Sequence, residues 1–594
     1  MDKKNTVIGV ALLVAAMASF YFSARYAPPA APVTNPPAGT SVQPTGLPVP
    51  ATPTSGVITS PTDAVLSAPK SGPAEFVTLS NDFIEVRFTN QGGAIDHVGL
   101  KKYPAEKGKA PLYTLNAIQA APALSLADFP GFDRHAAYTL VSQTATEVVY
   151  RAIVDGLEVT RRYSIAKSAT QDDYQIRHET TFRNLTAKAL PLPRASLNLG
   201  TAAPLNENDT GIYLNAGYSD GNDVTFISRG DLQGGGLFAA VGLKDGTPPP
   251  YIEKPAVVAW ASVKNQFFTM ILTPDQPGTG VRVERVKLFP TAPDTDYKAY
   301  GITSYARFEL KPLPAGASST LGASLFAGPK EYTRLSNPDI FKHSEDKVMQ
   351  FSTGFGKIFF SGFFAPLLLT FLTKVHSLVS NWGWSIIITT LLLKTVFLPF
   401  TIAASRSSKR MAKLNPLMQA MREKYKDNPQ KIQTETLKLF KENKVNPLGG
   451  CIPILITIPF FIGFFSMLQS ASDLRFASFL WISDLSAPDT VAHIFGLPIN
   501  IMPLCMGATM IFQMRLTPTP TTDNAQATMM KVMPWMFTLF CYNFASGLAL
   551  YSTINGLFTI GQQLIINRMP EVQLPVAAAD GMKNVTPAGK KPKK

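Results

Sequence analysis

The 594-residue sequence predicts a membrane α-helical bundle of six spans, one N-terminal anchor plus five in the C-terminal half, carrying a large all-β domain held outside the cytosol. Three observations lead there. Long uncharged apolar stretches occur at the N-terminus and beyond Pro338, short alternating runs fill residues 76–337, and basic residues gather beside particular apolar segments. The net charge of +14 is therefore read as membrane topology, since the lysines and arginines lie in loops and tails rather than in an aromatic-studded patch; no specific nucleic-acid recognition is expected. Cys451, Cys505 and Cys541 all fall in apolar segments, where they read as small packing residues and not as a disulfide framework.

Residues 1–26 form the N-terminal transmembrane anchor. The apolar run from Val7 to Phe22 engages a secretion machinery, as a cleaved signal or a retained anchor; Phe20, Tyr21 and Phe22 continue it as an interfacial belt and favour the anchor. Residues 27–75 are rich in Pro, Ala, Thr, Ser and Gly and cannot bury enough surface to offset chain entropy, so they are a linker with a reach of roughly 40 Å. From Phe76 to Asn337 the pattern is β. Ile84, Val86 and Phe88 face one way with Glu85 and Arg87 opposite, Asp155-Gly156 supplies a tight hairpin turn, and a further strand runs from Tyr174 to Phe182; one large antiparallel sandwich follows. His97, His135 and His178 lack metal-ligand spacing and no Gly-rich phosphate loop occurs, so each histidine reads as a core or surface residue, and neither catalysis nor a metal or cofactor is expected.

Residues 338–380 include an apolar segment, Ile358 to Thr373, interrupted by Gly362 and Pro366 and expected to lie at the interface. The core, residues 381–570, holds spans near Trp384–Ala404, Leu448–Gln469, Ile499–Leu516, Val532–Ala545 and Leu548–Asn567, the last two joined by a tight turn at Ser546-Gly547. The loop from Ser405 to Asn446 has eleven Lys and Arg against four Asp and Glu, whereas Ser472 to Asp489 has one Arg and three Asp; the first is cytosolic and the second outside. Both termini are then cytosolic, including the basic tail 571–594.

Lys394 sits roughly 15 Å into a hydrocarbon core about 30 Å thick, where a charge costs about 2.5–3.5 kcal/mol. None of the five spans offers an Asp or Glu to pair with it. Water in a polar cavity is the cheapest remaining solution, against a lysine that snorkels or loses its proton. Thr390 shares its helical face, and Ser552, Asn555, Gln562 and Gln563 dot the last span. The cytosolic helical hairpin 404–446 reads as helices Ala404–Lys426 and Gln430–Asn443 joined at Asp427-Asn428-Pro429. Its stripe of Met411, Leu414, Met418 and Met421 either packs the two helices together or receives apolar partners near anionic lipid.

The runs Asn381-Trp382-Gly383-Trp384-Ser385-Ile386-Ile387, Asn446-Pro447-Leu448-Gly449-Gly450-Cys451-Ile452-Pro453, Leu480-Trp481-Ile482-Ser483-Asp484-Leu485-Ser486 and Ser546-Gly547-Leu548-Ala549-Leu550-Tyr551 resemble those of the YidC-type membrane protein insertases of Gram-negative bacteria. The resemblance implies an inner-membrane protein with a periplasmic β-supersandwich, related in fold to sugar-mutarotase domains, and a five-helix insertase core with a groove open to cytosol and lipid. It carries substrate contacts to Thr390, Phe461, Met506, Phe540 and Tyr551; Lys394 stands where the family usually has arginine, and Ser552 replaces a second aromatic hydroxyl. Implied partners are nascent inner-membrane proteins and membrane lipids, with the Sec translocon and the ribosome. Two other classes fit less of the sequence: a secondary transporter, which needs mid-membrane carboxylates or broken-helix repeats, and a membrane-tethered periplasmic carbohydrate-binding protein, which needs a sugar site.

Overall fold

The computed structural model describes residues 73–165, 171–206, 209, 211–233, 249–293, 299–352, 355–425, 428–443, 452–516 and 524–569. The expected anchor, most of the linker and the basic tail lie outside these residues. The chain divides into two compact units. One comprises residues 21–329 and 337–348, and the other comprises 330–336 and the chain from residue 349 onward, together with the first twenty residues.

In the first unit Ile84, Val86 and Phe88 are fully buried while Glu85 is exposed, as the alternation predicts. Strands Glu147–Val154 and Leu157–Ser164 pair in register across Asp155 and Gly156, both at positive φ (48° and 79°), which is the two-residue hairpin turn the sequence calls for. All strand pairs within the sheets are antiparallel, and they form sheets of four, five and nine strands. The strand Ala195–Ala202 of the five-stranded sheet packs on Trp260–Lys264 and Phe268–Pro274 of the nine-stranded one. Trp260, Phe268, Phe182 and Phe326 fill the core. His178 belongs to it: the ring stacks on Tyr163 at 4.6 Å, shares a 2.8 Å hydrogen bond with Thr180 Oγ1, and burial pushes its pKa well below the ordinary value. His97 pairs with Asp96 at 2.8 Å, and His135 is exposed.

The second unit is helical. Its main helices are α1 (Ser361–Val379), α2 (Trp382–Lys413), α3 (Asn415–Lys424), α4 (Pro429–Glu442), α5 (Ile452–Ser470), α6 (Ile501–Leu516), α7 (Asn524–Phe540) and α8 (Ser546–Arg568). Asn381 caps α2 by accepting from Trp384 N at 3.1 Å. Among the described residues, α1 and α2 are long and apolar enough to cross a membrane, and shorter apolar helical stretches run over Ile458–Ser470 and Ile501–Leu516. Apolar side chains face outward in this unit, Val396 of α2 at 66% exposure and Trp535 of α7 at 67% among them. Surfaces of that kind are compatible with lipid and costly in water.

Two boundaries differ from the sequence reading, and the packing of the methionine stripe becomes visible. The first long span does not stop at Ala404; α2 continues to Lys413 and breaks at Leu414, where Pro416 in the first turn of α3 cannot extend the preceding helix. Ser546 and Gly547 are not a turn but the first residues of α8, and the reversal occurs over residues 541–545. Gly547 serves close packing: a Cβ there would meet the Leu485 carbonyl oxygen at 3.0 Å. The methionine stripe is fully occupied: Met411, Leu414, Met418 and Met421 are buried with Leu439 and Phe440 of α4, so the packing reading holds and no methionine face is left for a partner.

The helices alternate in direction. At one end, Gly547 N donates to Leu485 O at 2.8 Å, Met502 N to Asp489 Oδ2 at 2.8 Å, and Asn500 Nδ2 to Tyr542 O at 2.8 Å, while Trp384 meets Phe479 edge-on at 5.6 Å. These contacts gather the N-ends of α2, α6 and α8 with the C-ends of α5 and α7. At the other end Asn567 Nδ2 reaches Leu516 O at 3.2 Å and Lys409 Nζ reaches Ile566 O at 2.7 Å.

Candidate functional site

Helices α2 and α8 run parallel and share a polar seam. On α2, Thr390, Lys394, Phe397 and Thr401 recur at spacings of four, three and four residues, one face of a helix. On α8, Tyr551, Asn555, Thr559 and Gln562 do nearly the same. The two faces meet around Lys394, whose Nζ donates to Thr559 Oγ1 at 3.0 Å. Thr559 in turn donates its own proton to Asn555 O at 2.8 Å, which leaves its lone pair for the ammonium. Lower on the seam the arrangement repeats: Thr401 donates to Leu398 O at 3.0 Å and accepts from Gln562 Nε2 at 2.9 Å.

A small, partly open hollow lies beside this seam, lined by Thr390, Leu393, Lys394, Phe397, Thr401, Phe460, Tyr551 and Asn555. Lys394 sits about 18 Å along α2 from Trp382 and is only partly buried. Among the described residues it has no carboxylate within ion-pair distance. An ammonium offers three donors and Thr559 takes one, so the others are available to water or to a visiting acceptor. Tyr551 is held by Phe464, stacked at 4.1 Å, and Ser552 Oγ is buried without a hydrogen-bond partner.

Of the residues singled out in the sequence, Lys394, Thr390 and Tyr551 line the same space. Phe461 lies one residue beyond the wall, 6.3 Å from Tyr551 and 5.8 Å from Phe537 between ring centres. Met506 is buried in α6, and Phe540 is half exposed at the end of α7 against Phe544, both away from the lining. Sequence reasoning named no partner for Lys394, because the search was for carboxylates; the partner is the neutral hydroxyl of Thr559. The Asn555, Thr559, Gln562 spacing was the available signal. Phe397 and Phe460, in contact at 4.8 Å, form an apolar wall that periodicity does not separate from ordinary core.

A β-rich unit joined to alternating apolar helices around a cation-bearing cleft defines a class: helical proteins with lipid-compatible surfaces and a β-rich appendage. Residues 76–395 match the family profile described as the YidC periplasmic domain, and residues 374–573 match the 60Kd inner membrane protein. The chain belongs to the YidC family, inner-membrane proteins with a periplasmic domain. A relative from Pseudomonas fluorescens, named membrane protein insertase YidC, is 29% identical over 616 residues, covering 98% of this chain and 100% of its own. Another of that name from Cupriavidus necator is 40% identical over 264 residues, 44% of each chain. A crystal structure described as an active YidC insertase is 17% identical, covers 84% of this chain and 94% of its own, and has a TM-score of 0.31.

Proposed function

We propose that this protein is a membrane protein insertase, not an enzyme in the catalytic sense, which moves apolar segments of nascent proteins from the cytosol into the inner membrane along the cleft at Lys394. The observation that carries this reading is the lone ammonium halfway along a helix, fixed by Thr559 and facing a space whose other walls are aromatic and hydroxylic. The incoming segment's polar flank, often acidic, meets Lys394 and the hydroxyls part-way across. Its apolar part slides past Phe397, Phe460 and Phe461 into lipid, with half-exposed Phe540 further along the path.

The energetics need no nucleotide. Twenty apolar residues release roughly 10 kcal/mol on entering the bilayer, against about 3 kcal/mol for one buried aspartate, so transfer is downhill and the cleft lowers the barrier for the flank. In this reading α2, α5, α6, α7 and α8 are five spans and the N-terminal segment is a sixth, with both termini cytosolic. α1 lies obliquely at the interface. Its Phe364 is about 22 Å from its C-end yet packs at Gly463, only about 10 Å from the end of α5. The exposed lysines of α3 and α4 form a basic face for anionic lipid and for the ribosome; the Sec translocon is the other partner this reading implies.

The test is charge reversal. Lys394→Glu abolishes insertion of clients with acidic flanks, while Lys394→Arg retains it; both are assayed as purified full-length protein in vesicles with ribosome-bound nascent chains. Normal insertion of acidic-flank clients by a folded Lys394→Glu protein would refute the charge model.

A further inference from the structure

Between α5 and α6 the chain forms a two-stranded hairpin, Thr490–Ile494 with Leu497–Asn500, closed by Phe495 and Gly496 at φ 50° and 78°. We propose that this hairpin is a lipid anchor whose tip enters the acyl region of the leaflet next to it. Phe495 is 101% exposed, and Val491, Ile494 and Leu497 are each half exposed or more. A bulky aromatic at positive φ is a sterically costly choice, and here it aims the largest apolar side chain of the turn outward. Residues 490–500 contain no Asp, Glu, Lys or Arg.

The base of the hairpin fixes where the tip can go. Asn500 is fully buried, donates through Nδ2 to Tyr542 O at 2.8 Å and accepts from Thr490 Oγ1 at 2.7 Å, while Tyr542 OH donates to Pro498 O at 2.8 Å. The following residue opens α6, and Asp489 caps that helix at Met502 N while also holding Trp481 Nε1 at 3.1 Å. The hairpin is therefore tied to the ends of α6 and α7, at the level where apolar helix gives way to polar loop. Half-exposed Trp481, pinned by the same Asp489, suits an interfacial ring. A strand of five residues reaches about 17 Å, enough to hold the tip clear of the helix ends that anchor its base. Isolated two-stranded hairpins are marginal in water, and burying this tip in lipid supplies the missing apolar contact. An uncharged tip continuous with a membrane helix fits acyl chains better than a protein partner, which would be expected to meet a polar rim. The inference is independent of the insertion reading.

The experiment places a photoreactive diazirine amino acid at 495 in the full-length protein, reconstituted in phosphatidylethanolamine/phosphatidylglycerol vesicles, with the same residue at exposed Lys311 of the β-rich unit as control. Illumination is expected to add one phospholipid mass at 495 and none at 311. Water adducts alone at 495, or a cross-link from 495 to a second copy, would overturn the proposal. Repeating the illumination in native membranes adds one more arm, in which a cross-link from 495 to another protein in place of lipid overturns it as well. Substitution at a fully exposed tip does not endanger folding, and retained client insertion by the same variants checks it.

Discussion

At the scale of single residues, two lysines show two ways in which the fold buries an ammonium. Lys394 keeps a threonine acceptor and an open space, whereas Lys330, which follows the last β-strand, is almost wholly buried and burial alone lowers its pKa from 10.5 to about 7. Because the folded value lies below the unfolded one, the unfolded chain binds more protons between about pH 7 and 10.5. Stability therefore rises with pH through that window, and the full penalty of the buried ammonium is present below it. Asp473 works in the opposite sense: burial first, then Glu331, raises its carboxyl to about 6, so its contribution falls between about pH 4 and 6 and is constant above. Thermal unfolding of the parent and of Lys330→Met between pH 7 and 9 isolates this lysine's share by difference. The Tm is expected to rise over that range, and Lys330→Met is expected to flatten the rise and to unfold at a higher temperature than the parent at pH 6. An unchanged pH profile in Lys330→Met would show that this ammonium is already solvated.

At the scale of elements, the hairpin at Asp155-Gly156 tests how tightly local sequence sets register. An alanine at 156 would have to adopt φ 79° and would drive its Cβ into Thr186 Cγ2, the methyl of a side chain whose hydroxyl already donates to Asn184 Oδ1. The combined strain and overpacking is expected to cost about 2–4 kcal/mol. Pulse proteolysis of the full-length protein across a urea series, scored on the β-rich unit, should place the midpoint for Gly156→Ala well below that of the parent; coincident midpoints would mean the turn relaxes freely. This turn was legible beforehand because two residues dictate it, as was the burial of Ile84, Val86 and Phe88, where period two is strict. Features set by distant chain were not legible. Ser546-Gly547 resembles a turn but serves packing against Leu485, and Thr559 is one of many threonines until α8 is laid beside α2. The methionine stripe was visible as a stripe, but period alone does not say whether its other side is Phe440 or a client.

At the scale of the whole molecule, direction of travel depends on which side each helix end faces, and the proposed sidedness joins the relative direction of the helices to the placement of their charges. Contacts at the helix ends make α2, α6 and α8 run one way and α5 and α7 the other. The end shared by the C-termini of α2, α6 and α8 carries Arg406, Lys409, Arg410, Lys413, Arg515 and Arg568, whereas the loop at the opposite end holds Asp473, Asp484 and Asp489 with only Arg475. Basic residues tend to stay cytosolic, so the proposed orientation has the α3–α4 hairpin inside and the 472–489 loop outside. Sidedness of thiol labelling measures this directly, in a background where Cys451, Cys505 and Cys541 are alanine and client insertion is retained. In sealed vesicles of known orientation, a membrane-impermeant reagent is expected to label Lys438→Cys only from the cytosolic face and Ser483→Cys only from the periplasmic face. Lys394→Cys is the decisive position, because the insertion route requires the cleft to be wet from inside: it should label from the cytosolic face, more slowly than Lys438→Cys. If Lys438→Cys reacts normally while Lys394→Cys reacts only from the periplasm, or from neither side, the cleft has no cytosolic mouth and an incoming segment has no way to reach the charge.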